Sequence, residues 1–131
     1  MLNYSKYIID AHAHIFPDKI AQKAADNIGR FYDLYMNFDG TTDTLIKQGD
    51  ECGVSKFVVQ SVATVPHQVK RINDFIVSAV QKYPDRLIGF GSLHPDMKGM
   101  EEEIDRLISI GLHGIKLHPD FQKFAINDEN A

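Results

Sequence analysis

Short apolar runs and longer helical patterns alternate along this chain from one end to the other, and no other feature restricts its folding so strongly. Tyr7 to Ala13 is an Ile-rich segment of β type bounded by Pro17, and Lys56 to Val62 is a second, carrying β-branched residues. Leu87 to Leu93 and Gly114 to His118 complete the set. Each is apolar, short and flanked by Gly or Pro, in the manner of strands buried on both faces. Pro66 can open a helix in which Val69, Ile72, Phe75, Ile76, Ala79, Val80 and Tyr83 recur at helical spacing until Pro84 stops it. Met100, Ile104, Leu107 and Ile108 mark another, with Glu101, Glu102 and Glu103 in its first turn and Gly111 placed to end it in a left-handed conformation. Two further helices are predicted. One runs from about Pro17 to Tyr35 with Gly29 as a point of interruption; the other runs from about Thr42 to Cys52, with Thr41 or Thr42 as its cap and Gly53 at its end.

The order strand, helix, helix, strand, helix, strand, helix, strand is that of parallel β/α units joined by right-handed crossovers, so the class is α/β. At 131 residues the chain is long enough for one domain and too short for an eight-unit barrel. No internal repeat, low-complexity tract or linker marks a second domain. Phe16 to Gly40 exceeds a minimal βα connection and is a candidate lid over a site.

Fourteen basic against 18 acidic residues give a formal net charge of −4, which favours neither a nucleic-acid nor an anionic-membrane partner. A small-molecule substrate is the expected partner. No apolar run reaches the roughly 18 residues of a membrane span, and Met1 to Lys6 show no signal-peptide pattern, so a cytoplasmic protein is expected. Asn3-Tyr4-Ser5 matches a glycosylation acceptor that has no meaning in such a compartment. The lone Cys52 cannot build a disulfide framework and suits reducing conditions.

Chemistry enters at Asp10-Ala11-His12-Ala13-His14. Side chains two apart on a strand share a face, so alternation predicts Asp10, His12 and His14 together on one side of the first strand. Buried polar groups without partners cost roughly 1 to 3 kcal/mol each, and a divalent metal bound by neutral imidazoles at about 2.0 to 2.1 Å would satisfy them. The plain alternative is a pair of hydrogen-bonded core histidines. Asp10, one pleat deeper, is expected to support the ligands rather than to be one.

Ile9-Asp10-Ala11-His12-Ala13-His14-Ile15-Phe16-Pro17 resembles the first-strand signature of the amidohydrolase superfamily, particularly its amidohydrolase-related (amidohydrolase 2) branch. Arg86 to Pro95 is similar to that branch's third strand, and Gly114-Ile115-Lys116-Leu117-His118-Pro119 to its fourth, so the resemblance spans almost the whole chain. It implies a partial TIM-type (β/α) barrel of about four parallel strands with flanking helices. It also implies a divalent metal, zinc above all, held by His12 and His14, and hydrolysis of an amide or ester-like bond by activated water. Non-oxidative decarboxylation of an aromatic or unsaturated acid is the alternative within the branch. A non-catalytic half-barrel is the alternative outside it. The family's further ligands, a His on each of the fifth and sixth strands and an Asp on the eighth, have no counterpart before Ala131. The chain therefore reads as the first half of one barrel domain of about 250 to 300 residues, with little activity alone. Open first and fourth strands invite association, including with another copy.

Three further residues fall at predicted strand ends. His118 shares a face with Lys116 and could bind substrate or support a ligand, or serve as a turn histidine before Pro119. Lys116 could touch substrate or sit in a structural ion pair. His94, in Leu93-His94-Pro95, could reach the site or close a turn. His67 reads as a solvent-exposed helix start, and His113 as belonging to the opposite, stability-related end. Gly89-Phe90-Gly91 lacks the third glycine of a dinucleotide fingerprint, and no P-loop, H-E-x-x-H or G-x-S-x-G is present.

Overall fold

A computed structural model describes residues 7–129; Asn3 to Ser5 lie outside that range. Four strands, β1 (Ile9–His14), β2 (Lys56–Gln60), β3 (Leu87–Ser92) and β4 (Gly114–Lys116), pair in chain order, every pair parallel. Between them run α1 (Asp18–Tyr32) and α2 (Thr42–Cys52), then α3 (Val69–Lys82) after a 3₁₀ turn at Pro66–Gln68, then α4 (Met100–Ser109). A one-turn helix, α5 (Pro119–Gln122), follows β4. Because neighbours are parallel and sequential, all four carboxyl ends gather on one rim. The sheet is an arc of a barrel with β1 and β4 as its edges.

One face of the arc is packed by helices. Ala13, Phe57, Val59 and Leu87 join Ile46, Val69, Ile76, Leu107 and Leu112 in one buried cluster. The third strand carries glycine where the helices press closest: a Cβ on Gly91 would stand 2.6 Å from Leu107 Cδ1. Gly29, expected to interrupt α1, does not. It stays helical and buried because Leu34 and Met36 fold back onto it, leaving its missing Cβ only 2.9 Å from Met36 Cγ. The helix stops instead at Tyr32, where Asp33 turns left-handed at φ 52°.

Thr41 Oγ1 accepts the Thr44 backbone N–H at 3.3 Å to cap α2, and Gly53 and Gly111 take φ of +73° and +84° after α2 and α4, as the glycine pattern predicts. Strand ends differ from the sequence reading by a residue or two. The clearest difference is at β4, which ends at Lys116 rather than His118 because Pro119 opens α5.

Behind the end of β3 lies a polar knot. Asn73 donates from Nδ2 to the Ser92 carbonyl (3.0 Å) and to Glu103 (2.8 Å), and accepts the Ser92 N–H at 2.7 Å. Arg106 donates to both Glu103 oxygens and to Asp74. Among the described residues no buried side-chain nitrogen or oxygen lacks a partner. The arc's edges are apolar and open: Ile9 on β1 is 46% exposed and Ile115 on β4 39%. No helix among the described residues is long and apolar enough to cross a membrane.

Candidate active site

The first strand does not alternate cleanly. Asp10 pairs with Phe57 and Ala13 with Val59, so β1 spends three steps where β2 spends two, and the extra residue is a bulge. An inserted residue flips the pattern of faces. His12 and His14 stay together on the face of Gln60, which pairs with His14, whereas Asp10 falls on the face of Phe57. The expectation that all three share one face is corrected for Asp10. Its Oδ1 accepts the backbone N–H of His12 at 2.9 Å, so its carboxylate props the bulge on which His12 stands.

The Nε2 atoms of His12 and His14 approach to 3.0 Å. One ring donating to the other accounts for that distance. A shared ion is close to it too, since two nitrogens each about 2.1 Å from one metal lie roughly 3 Å apart at a right angle and roughly 3.4 Å apart at the tetrahedral angle. The pair therefore fits as two ligands of a divalent metal. Among the described residues no third His, Cys, Asp or Glu completes a metal-binding group.

Burial, followed by the positive charges of His12, Lys116 and His118, pushes the His14 pKa down to about 4. At neutral pH the ring is uncharged, the form in which an imidazole ligates a metal. His118 is also lowered, by burial first and then by Lys116. Three imidazoles and the Lys116 ammonium thus gather at one place, and Lys116 makes no ion pair among the described residues.

These groups line a cavity of about 750 Å³ whose only described carboxylate is Asp10. Its wall is aromatic: Phe16, Tyr32, Phe38 and Phe121 all face it. Tyr32, at the end of α1, reaches across to place its hydroxyl 3.1 Å from His118 Nε2, and Phe121 stacks on the His118 ring at 4.2 Å between centroids. The predicted lid segment thus supplies part of the wall.

His94 is not among the lining residues. It is 3% exposed, and its Nδ1 accepts the Asp96 N–H at 3.2 Å, the arrangement of a turn histidine. His67 and His113 are exposed and also lie outside the cavity. Tyr32 and Phe121 escaped the sequence reading because no local pattern links residues 86 positions apart, the separation of Tyr32 and His118. Pro119 at the first position of a helix was the available sign of α5.

A model of the amidohydrolase family matches residues 9–130, nearly the whole chain. The chain belongs to that family. Among solved structures, it is similar to 5-carboxyvanillate decarboxylase from Novosphingobium aromaticivorans, determined with manganese and 4-hydroxy-3-methoxy-5-nitrobenzoic acid: 22% identity, TM-score 0.69, covering 98% of this chain and 46% of that one. It is similar to 4-oxalomesaconate hydratase from Rhodopseudomonas palustris, at 19% identity and TM-score 0.61, covering 94% and 46%. A probable 2-pyrone-4,6-dicarboxylic acid hydrolase from Acinetobacter baumannii, with citric acid bound, matches at 25% identity and TM-score 0.54, covering 91% and 44%. No curated protein matches. This amidohydrolase-family chain spans less than half the length of these three structures.

Proposed function

We propose that the chain is the amino-terminal half of a (β/α)₈ enzyme of the amidohydrolase family that decarboxylates, without oxidation, a small aromatic or unsaturated acid. The observation that carries this reading is the concentration of His12, His14, Lys116 and His118 beside an aromatic wall, with one carboxylate among the described lining residues and that one engaged by its own strand. Such a place suits an anion with a flat apolar body.

His12 and His14 would hold a divalent metal together with ligands from the rest of the barrel. Zinc is our first choice for an imidazole pair, and manganese stands in the decarboxylase structure that the chain resembles. Bound there, the ion would act as a Lewis acid toward a substrate oxygen. Asp10 holds the bulge that orients His12. Lys116 supplies a charge to a substrate carboxylate, and the aromatic wall holds the ring and keeps water from it. The free, exposed Cys52 suits a reducing cytoplasm.

Hydrolysis is the second reading, favoured by the 25% identity to a probable hydrolase of a dicarboxylic acid. The two part on product. The full-length protein, loaded with zinc or manganese and offered hydroxybenzoic acids, is expected to release carbon dioxide and leave the decarboxylated ring. Ring-opened or deacylated products without carbon dioxide would establish the hydrolase. A full-length protein that binds neither metal would leave a non-catalytic barrel and end both readings.

A further inference from the structure

His118 is a rim imidazole whose proton can be placed from its surroundings. Its Nδ1 accepts the backbone N–H of Phe121 at 3.4 Å, capping α5. A ring nitrogen that accepts carries no proton, so the neutral ring carries its proton on Nε2. That atom faces the Tyr32 hydroxyl at 3.1 Å, and the Phe121 ring lies nearly parallel to the imidazole, 15° from coplanar. His118 is thereby a hydrogen-bond donor at the rim, with no lone pair on Nε2 for a metal.

A helix of one turn has no stability of its own, so α5 must be held by something else. Gln122, only 4% exposed, does this. Its Nε2 donates to the carbonyl of Ala63 at 2.9 Å and of Leu93 at 2.6 Å, while its Oε1 accepts the N–H of His118 at 2.7 Å. Ala63 follows β2, Leu93 follows β3 and His118 follows β4. One carboxamide ties together the ends of three strands and hangs α5, with Phe121, beneath the His118 ring. Gln122 itself does not line the cavity.

We infer that Gln122 is a positioning residue whose carboxamide fixes His118 as an Nε2–H donor to the Tyr32 hydroxyl, which in turn directs its own proton at an acceptor oxygen of the substrate. The last clause rests on the reading of the rim as a carboxylate site; the clasp does not. Gln122→Met keeps length and bulk and removes all three hydrogen bonds, while Gln122→Glu keeps the acceptor and loses the donors. The test uses full-length protein with ¹⁵N-labelled histidine at neutral pH, where long-range ¹⁵N–¹H spectra distinguish the two tautomers. Leu112→Ala is the control for a general loss of stability.

Wild type and Leu112→Ala are expected to show His118 protonated on Nε2 alone. Gln122→Met should show mixed tautomers and bind benzoate about tenfold more weakly, the factor that one net hydrogen bond supplies. Gln122→Glu should move the same way and serves if the Met variant does not fold. A wild-type ring protonated on Nδ1 would overturn the inference. So would Gln122 variants that melt earlier yet keep the wild-type tautomer and benzoate affinity. A wild type that is Nε2-protonated, with both Gln122 variants mixed, but blind to benzoate supports the clasp and counts against the carboxylate reading alone.

Discussion

Two polar clusters near the ends of the strands are built on opposite principles. Asn73, Ser92, Glu103 and Arg106 form a knot between α3, β3 and α4 in which donors meet acceptors and the Glu103 carboxylate meets the Arg106 guanidinium. His12, His14, Lys116 and His118 make no ion pair among the described residues and open onto a cavity. A polar group whose partners are all internal contributes to stability. One whose countercharge is missing is held ready for something that arrives from outside.

The sharpest way to break the contrast is to empty the open cluster. In the full-length protein, His12→Ala with His14→Ala is expected to abolish stoichiometric metal binding and to lower turnover by on the order of 10²-fold or more, since even residues that only support ligands are worth 10- to 100-fold. The urea midpoint should barely move in metal-free protein, as neither ring carries the core. A large drop in that midpoint with metal content intact would mean that the histidines are structural and that the two clusters are of one kind.

The closed cluster should answer in reverse. Glu103→Ala leaves the buried Asn73 amide without one partner while Arg106 keeps Asp74, and an unsatisfied buried donor costs about 2 kcal/mol; urea denaturation reads this directly. Metal content per folded molecule should be unchanged. Gly91→Ala, which drives a methyl into Leu107 from the adjoining position on β3, should cost about 2 kcal/mol by overpacking. Loss of metal in either variant, without unfolding, would show that the knot also shapes the site.

Legibility in the sequence follows the same division. The strands and main helices were readable because their apolar spacing is local and their ends carry Pro, Thr or Gly with a fixed conformational meaning; Thr41, Gly53 and Gly111 behave as such residues must. His12 and His14 were readable as a pair because a period of two survives within a strand. Asp10 was misplaced because a bulge depends on the pairing of β1 with β2, which no stretch of β1 contains. Gly29 was misread for a related reason: its lack of a side chain serves a loop that returns, not the helix it sits in. The knot, the Tyr32 contact and the Gln122 clasp join residues far apart in sequence, and polar residues at such distances leave no periodic trace.

Acid should separate the clusters by pH. Burial works to raise the pKa of Glu103, but hydrogen bonds from Arg106 and Asn73 outweigh it and hold the group below its ordinary 4.5. A depressed carboxylate stabilises the fold above its unfolded pKa and loses that contribution as pH falls through the folded one. The knot should therefore hold at pH 5 and fail only below about 4.5.

His14 acts earlier on the scale. Its folded pKa of about 4 lies below the ordinary 6.5, so between those values the unfolded chain takes up the proton more readily and stability of the metal-free protein declines as pH is lowered. Histidine NMR titration should find the His14 midpoint near 4. Replacing His12 with Ala should raise it only part of the way toward 6.5, because burial outranks the charge of His12 among the causes. Full recovery in that variant would make charge the controlling influence. A wild-type midpoint already near 6.5 would put the ring in open solvent, and with it would go the distinction between a polar group kept dry for a ligand and one that merely faces water.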